Sequence, residues 1–140
     1  WRRRWAACPK HARCWASAEI VFIGSRSYTG SCHCGAVEFT VIGNLPTEAI
    51  SCNCSYCRRK GLLLTFVPAD NFTLDHGEDA TITYLFNKHI IRHRFCKTCG
   101  AQPFAEGEMD GKAIWAVNLR CVPAANLDAL KLNKFDGASR

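Results

Sequence analysis

Residues 31–43, "SCHCGAVEFTVIG", place two cysteines one residue apart directly before an alternating strand. Val37, Phe39 and Val41 fall on one side of that strand and Ala36, Glu38 and Thr40 on the other, and glycines bound it. A cysteine pair at the mouth of a strand offers a way to staple it to a distant part of the chain.

The punctuation of a β-rich domain continues downstream. "LLLTFVP" (62–68) is a short apolar run closed by Pro68 and reads as a buried strand. "ATITYLF" (80–86) is β-branched and aromatic, Asn87 and Lys88 form a turn, and "HIIRHRF" (89–95) returns, which predicts a hairpin feeding into "CKTCG". "AIWAVNL" (113–119) is a further strand. Only "PAANLDALKL" (123–132) has helical spacing, through Leu127, Leu130 and Leu132, and it predicts one short C-terminal helix. The expected class is mainly β.

Seven of the ten cysteines form three groups: Cys32 and Cys34, then Cys52, Cys54 and Cys57, then Cys96 and Cys99. Thiolates two or three residues apart can point at one ion, and Gly100 after the last pair permits the tight turn such knuckles use. Two separated pairs make a four-sulfur structural zinc site, and Cys32, Cys34, Cys96 and Cys99 supply one; its binding energy would count directly as folding energy. An iron–sulfur cluster also takes four thiolates, so the metal is less defined than the site. Metal spacing, rather than a disulfide framework, fits a cytoplasmic protein.

The trio Cys52, Cys54 and Cys57 is one ligand short of a closed site. Catalytic zinc keeps three protein ligands and an open position. Cys121, His33 or another histidine could close it; Cys121, at a strand end in "NLRCVP", also reads as a buried thiol, and His33 lies between two expected ligands. Spacing alone equally allows the trio to pair with Cys32 and Cys34. Arg58, Arg59 and Lys60 come directly after the trio. Such a run is commonly a solvated loop, but with Arg120 these cations could hold the carboxylates of a small anionic thiol whose sulfur takes the open position.

One domain's worth of chain (140 residues, 48% apolar, 21% charged) carries a formal charge of +6. Residues 1–27 contribute +5 of it and the remainder +1, so the body lacks the clustered cations of a nucleic-acid-binding face, and nucleic acid is not an expected partner. Residues 1–27, rich in Trp and Arg, match nothing downstream. They read as a leader outside the domain, disordered or derived from upstream or cloning sequence, with a transit peptide as an alternative, and Cys8 and Cys14 within them as incidental thiols. Residues 28–140 form the expected zinc-binding domain. No run approaches the roughly 18 apolar residues of a membrane span, so a soluble chain without a membrane partner is expected.

"GSCHCGAVEF", "CNCSYCRRKG", "HRFCKTCGAQPF" and "VNLRC", in that order, resemble the glutathione-dependent formaldehyde-activating enzyme family, which includes domains like centromere protein V. The resemblance spans about Tyr28 to Gly137. It implies a β-tent fold of antiparallel sheets stapled by zinc, with two zinc ions per chain. Cys32, Cys34, Cys96 and Cys99 match the structural site, and Cys52, Cys54 and Cys57 the second, open one, which would be catalytic through its zinc. It further implies a carbon–sulfur lyase reaction, in which glutathione and formaldehyde form or release S-hydroxymethylglutathione. His89 and His93 are the histidines that could act as its base. A non-enzymatic zinc-binding interaction module, or a glutathione or metal carrier, is the alternative. The oligomeric state is open.

Overall fold

The alternation at 37–41 is realised as read: Val37, Phe39 and Val41 are buried while Glu38 and Ile42 face out. The computed structural model describes residues 26–140, so the leader's residues 1–25, with Cys8 and Cys14, lie outside the described residues. Its strands are β1 (Ser27–Ser31), β2 (Glu38–Ile42), β3 (Glu48–Cys52), β4 (Leu64–Pro68), β5 (Phe72–His76), β6 (Thr81–Tyr84), β7 (Arg92–Cys96), β8 (Phe104–Met109), β9 (Lys112–Asn118) and β10 (Lys131–Phe135). One short helix, α1 (Ser55–Lys60), comes after β3. No helix among the described residues is long and apolar enough to cross a membrane.

Two sheets result. One is three-stranded, β1-β2-β5; the other is seven-stranded, β10-β3-β4-β9-β8-β7-β6. All pairings are antiparallel except β10 with β3, which run parallel from Lys131↔Glu48 to Phe135↔Cys52. The expected hairpin over 80–95 forms from β6 and β7, with Thr81 opposite Cys96 and the turn at Asn87 and Lys88. The expected antiparallel sheets are thus present, with one parallel pairing added at the β10 edge.

Aromatic rings join the sheets. Phe39 and Phe72 of the small sheet stack at 5.4 Å, and Phe72 lies nearly parallel to Trp115 of the large sheet at 4.0 Å. Phe104 turns its edge to Phe39, Phe72 and Trp115 at 5.9, 5.2 and 5.0 Å, the geometry that a ring quadrupole favours. Arg94 is buried beside this core, yet its guanidinium is paired with Glu78 at 2.9 Å and Glu106 at 3.1 Å and stands over Phe104. A buried cation without those carboxylates would be strongly destabilising.

The helix expected over 123–132 is absent. Leu127–Ala129 makes a single 3-10 turn and Leu130 is already extended, so Lys131–Phe135 runs as β10. Leu127 and Leu130 pack against the core from this turn, which satisfies their spacing without a helix. An isolated helix of ten residues is marginal, whereas the free edge of β3 offers backbone partners to the whole of β10. Among the described residues the α-helix is α1, which takes in Arg58, Arg59 and Lys60, a run whose charge alone suggests a solvated loop.

Phe104 touches both sheets and is fully buried, so Phe104→Ala should cost about 3–5 kcal/mol in denaturant unfolding of the metal-loaded protein. A loss below about 1 kcal/mol would mean that the aromatic cluster does not join the sheets.

Candidate metal centres

Cys32 and Cys34 leave the end of β1, and Cys96 and Cys99 leave the end of β7, so the first group joins the small sheet to the large one. Their four sulfurs lie within 4.8 Å of one another, and the Cys32–Cys34 and Cys34–Cys96 sulfurs are 3.6 Å apart. Backbone N–H groups of Val37 and Thr98 donate to the Cys32 and Cys96 sulfurs at 3.3 and 3.4 Å. Gly100 closes the knuckle at φ +77°, where its N–H donates to the Cys96 carbonyl, a backbone shape that disfavours any side chain.

The second group is built from β3 and α1. Cys52 ends the strand, Cys54 caps the helix and Cys57 sits buried one turn in. The Cys54 N–H donates to the Cys52 sulfur at 3.4 Å, and the Cys57 N–H donates to the Cys54 sulfur at 3.3 Å. Gly61 ends α1 in the left-handed region. These three sulfurs also lie within 4.8 Å of one another, and no fourth His, Cys, Asp or Glu joins them among the described residues. The partition that spacing left open is thus drawn as Cys32 and Cys34 with Cys96 and Cys99. Cys121 does not reach the trio: it accepts from Asn118 and donates to the Gln102 carbonyl, within electrostatic reach of Cys32 and Cys99. His33 is exposed.

Residues that motif spacing did not single out tie the two groups together. The Tyr56 hydroxyl, between Cys54 and Cys57, donates to Oε1 of the buried Gln102, three residues after Cys99. Gln102 also faces Nδ1 of His93 at 3.5 Å, and Tyr56 packs on His93, Tyr84 and Phe86. Asn118 donates to the Gln102 carbonyl and accepts from the Leu63 and Arg120 N–H groups. The only sequence signal for this network was the position of Tyr56 and Gln102 inside the two cysteine motifs. His89 is exposed in the β6–β7 turn, while His93 is buried in the network.

The expected cations divide. Arg58, Arg59 and Lys60 form the exposed last turn of α1, favourable against the helix dipole. The Nε of Arg120 donates to the Gly61 carbonyl at 2.7 Å, which brings it to the same helix end. Arg59 bonds back to the Ser55 carbonyl, and Lys60 lies over the Phe95 ring at 4.7 Å, near the Gly100 carbonyl.

The electrostatics of the two groups is of the kind that a bound cation would relieve. Burial opposes ionisation of Cys99, but hydrogen bonds from the Ala101 and Cys34 backbone and from neighbouring thiols bring its pKa down to about 6. In the trio, burial opposes ionisation of Cys54, yet the Cys57 N–H and adjacent thiols lower its pKa; Cys57 is pushed up, by burial first and by Cys54 second. One thiolate forms at its neighbours' expense, and full ionisation requires a cation. The donor set fits a zinc ion: with Zn–S near 2.3 Å, a tetrahedron edge is about 3.8 Å, close to the 3.6 Å separations. The sulfide-bridged core of an iron–sulfur cluster would hold its cysteine sulfurs further apart.

The network makes two outcomes measurable. Tyr56→Phe leaves Gln102 Oε1 without its donor and should lower stability by about 1–3 kcal/mol in chemical denaturation. Burial, aided by Lys60, holds the His93 pKa at about 4 rather than 6.5. The unfolded chain therefore binds more protons between those values, and stability contributed by neutral His93 is present above pH 6.5 and lost as pH falls to 4. His93→Gln should flatten stability against pH in that window, by up to about 3 kcal/mol relative to wild type; an unchanged slope would show that His93 titrates normally.

Comparison with known proteins agrees with the motifs. A crystal structure of a Rhodobacter sphaeroides protein, a structural-genomics target, is similar to this chain with a TM-score of 0.64 and 26% identity, over 75% of this chain and 99% of that one. The family model described as glutathione-dependent formaldehyde-activating enzyme matches residues 27–132, most of the length, so the chain belongs to that family.

Proposed function

We propose that the protein is a zinc-dependent carbon–sulfur lyase that forms or cleaves S-hydroxymethylglutathione or a related thiol adduct in the cytoplasm. The observation that carries this reading is the trio of Cys52, Cys54 and Cys57, three sulfurs around one point with no fourth protein donor among the described residues. Family membership supports the substrate class, since the family's name couples glutathione to formaldehyde.

Zinc held there would lower the pKa of a substrate thiol and favour its thiolate. The chain's own residues supply the rest. N–H groups of Cys54 and Cys57 support the charge on the ligand sulfurs. Arg58, Arg59, Lys60 and Arg120 bind the carboxylates of glutathione from the end of α1, which orients its sulfur. The thiolate attacks the carbonyl carbon of formaldehyde, a carbon–sulfur bond forms, and the carbonyl π pair moves to oxygen, which takes a proton from water. Cleavage runs these steps backwards. His93 is engaged by Gln102 and Tyr56, which favours solvent as the proton carrier. Cys32, Cys34, Cys96 and Cys99 would hold a second, closed zinc that keeps the sheets joined.

The reading predicts two zinc ions per chain, one of which responds to glutathione; a single zinc, or two indifferent to glutathione, would count against it. Exchange between formaldehyde and glutathione, monitored by NMR, should fall to the uncatalysed rate in Cys54→Ser, and equal rates in both proteins would refute catalysis at the trio. Arg59→Ala combined with Arg120→Ala should raise KM for glutathione about tenfold with kcat little changed, as expected when uniform binding is lost.

A further inference from the structure

Residues 135–139 lie against the second cysteine group, and their fit there is tight at one point. A Cβ at position 137 would stand 2.5 Å from the Cys52 sulfur and 3.2 Å from Cys54 Cβ, so the chain at 137 passes close beside the Cys52 sulfur and the Cys54 side chain. The approach is fixed from both sides of Asn53, the residue between Cys52 and Cys54. The Asn53 N–H donates to the Phe135 carbonyl at 3.1 Å, its Nδ2 donates to Asp136 at 3.0 Å, and its Oδ1 accepts from the Ala138 N–H at 2.9 Å. Ser139 donates to the other oxygen of Asp136 at 2.7 Å. These residues stand more than 80 positions apart in sequence, and 133–140 lie beyond the stretch matched to the family.

We propose that Asp136 and Gly137 are positioning residues of the second metal centre: with Asn53 they clamp the Cys52–Cys54 loop and close one face of the trio. The proposal rests on the reading of the trio as an open metal site. Backbone packed on the Cys52 sulfur keeps water and thiols from that side, which leaves the open position to the remaining faces. The clamp also fixes the orientation of two of the three ligands, a role that outer groups commonly play around metals. A side chain at 137 would force the Cys52 sulfur or the 135–139 backbone to shift. The lock itself is made of exposed polar groups, so its stability is local and it can open without unfolding the sheets.

Titration of the full chain with cobalt(II) tests this, because tetrahedral thiolate coordination gives intense charge-transfer and ligand-field bands. Wild type should take two equivalents with thiolate spectra. In Gly137→Ala the second equivalent should bind about 10–100-fold more weakly with altered ligand-field bands, while the first is unchanged. Asp136→Ala should shift in the same direction, and Asp136→Asn, which can still bond Asn53 and Ser139, should restore the wild-type spectrum. Asp136→Ala adds no atom beside the sulfurs, so it decides the matter should Gly137→Ala fail to fold. Wild-type affinity and spectrum for both equivalents in the alanine variants would overturn the clamp. A wild-type chain that takes one equivalent would instead overturn the open-site reading beneath it.

Discussion

Four thiol sulfurs within 4.8 Å of one another, drawn from the ends of strands in two different sheets, are the constraint on which most of the structure depends. Without a cation they cannot all ionise, and with one they join β1 to β7 across 62 residues. The loop that closes this group also places Gln102, which leaves the knuckle buried, receives the Tyr56 hydroxyl, and so docks α1; Lys60 of the same helix reaches toward the Gly100 carbonyl. The helix that carries part of the trio is therefore tied to the loop of the first group. A strand–helix junction of this size has little core of its own: Cys57 is the buried residue of α1.

The two groups differ in their surroundings as well as in ligand count. Four thiolates around a divalent ion leave more negative charge than three do, which makes a three-sulfur ion the stronger Lewis acid and the better partner for a further anion. The cations are distributed in keeping with this difference. Arg58, Arg59 and Lys60 gather on the helix that carries the trio, and Arg120 is brought to its end by a bond to Gly61. Lys60 is turned toward the first group by the Phe95 ring and the Gly100 carbonyl, so it is the least free of the four to meet a ligand.

Features with a local trace were legible in the sequence. The alternation around Phe39, the β6–β7 hairpin and the three cysteine groups are all patterns of a few residues, and each is found where expected. The β10 strand left no such trace. All five of its residues are exposed, so no face alternates, and its parallel pairing to β3 needs a long connection that no turn signal marks. The same chain stretch carried leucines at helical spacing, and these found the core from a single turn instead. Six residues are too few for α1 to show a period, and its end is marked in the structure by Gly61 in the left-handed region. The contacts of Tyr56 with Gln102 and of Asn53 with Asp136 are long-range pairings between polar residues, and nothing in either local sequence specifies the partner.

In α1 one atom has two tasks. The Cys54 sulfur accepts the Cys57 N–H as the helix cap and is also a member of the trio. A thiolate there serves both roles better than a thiol, because negative charge at a helix N-terminus is favoured by the same orphan N–H groups that support a metal-bound sulfur. Metal binding and helix formation would thereby be the same event in part: a bound ion would keep Cys54 ionised, and the ionised sulfur would hold the first turn. A helix this short has little propensity to persist unaided. Loss of an ion there would then loosen more than the ligands, since Tyr56, Arg58, Arg59 and Lys60 all project from that one helix and its cationic end exists only while it is wound.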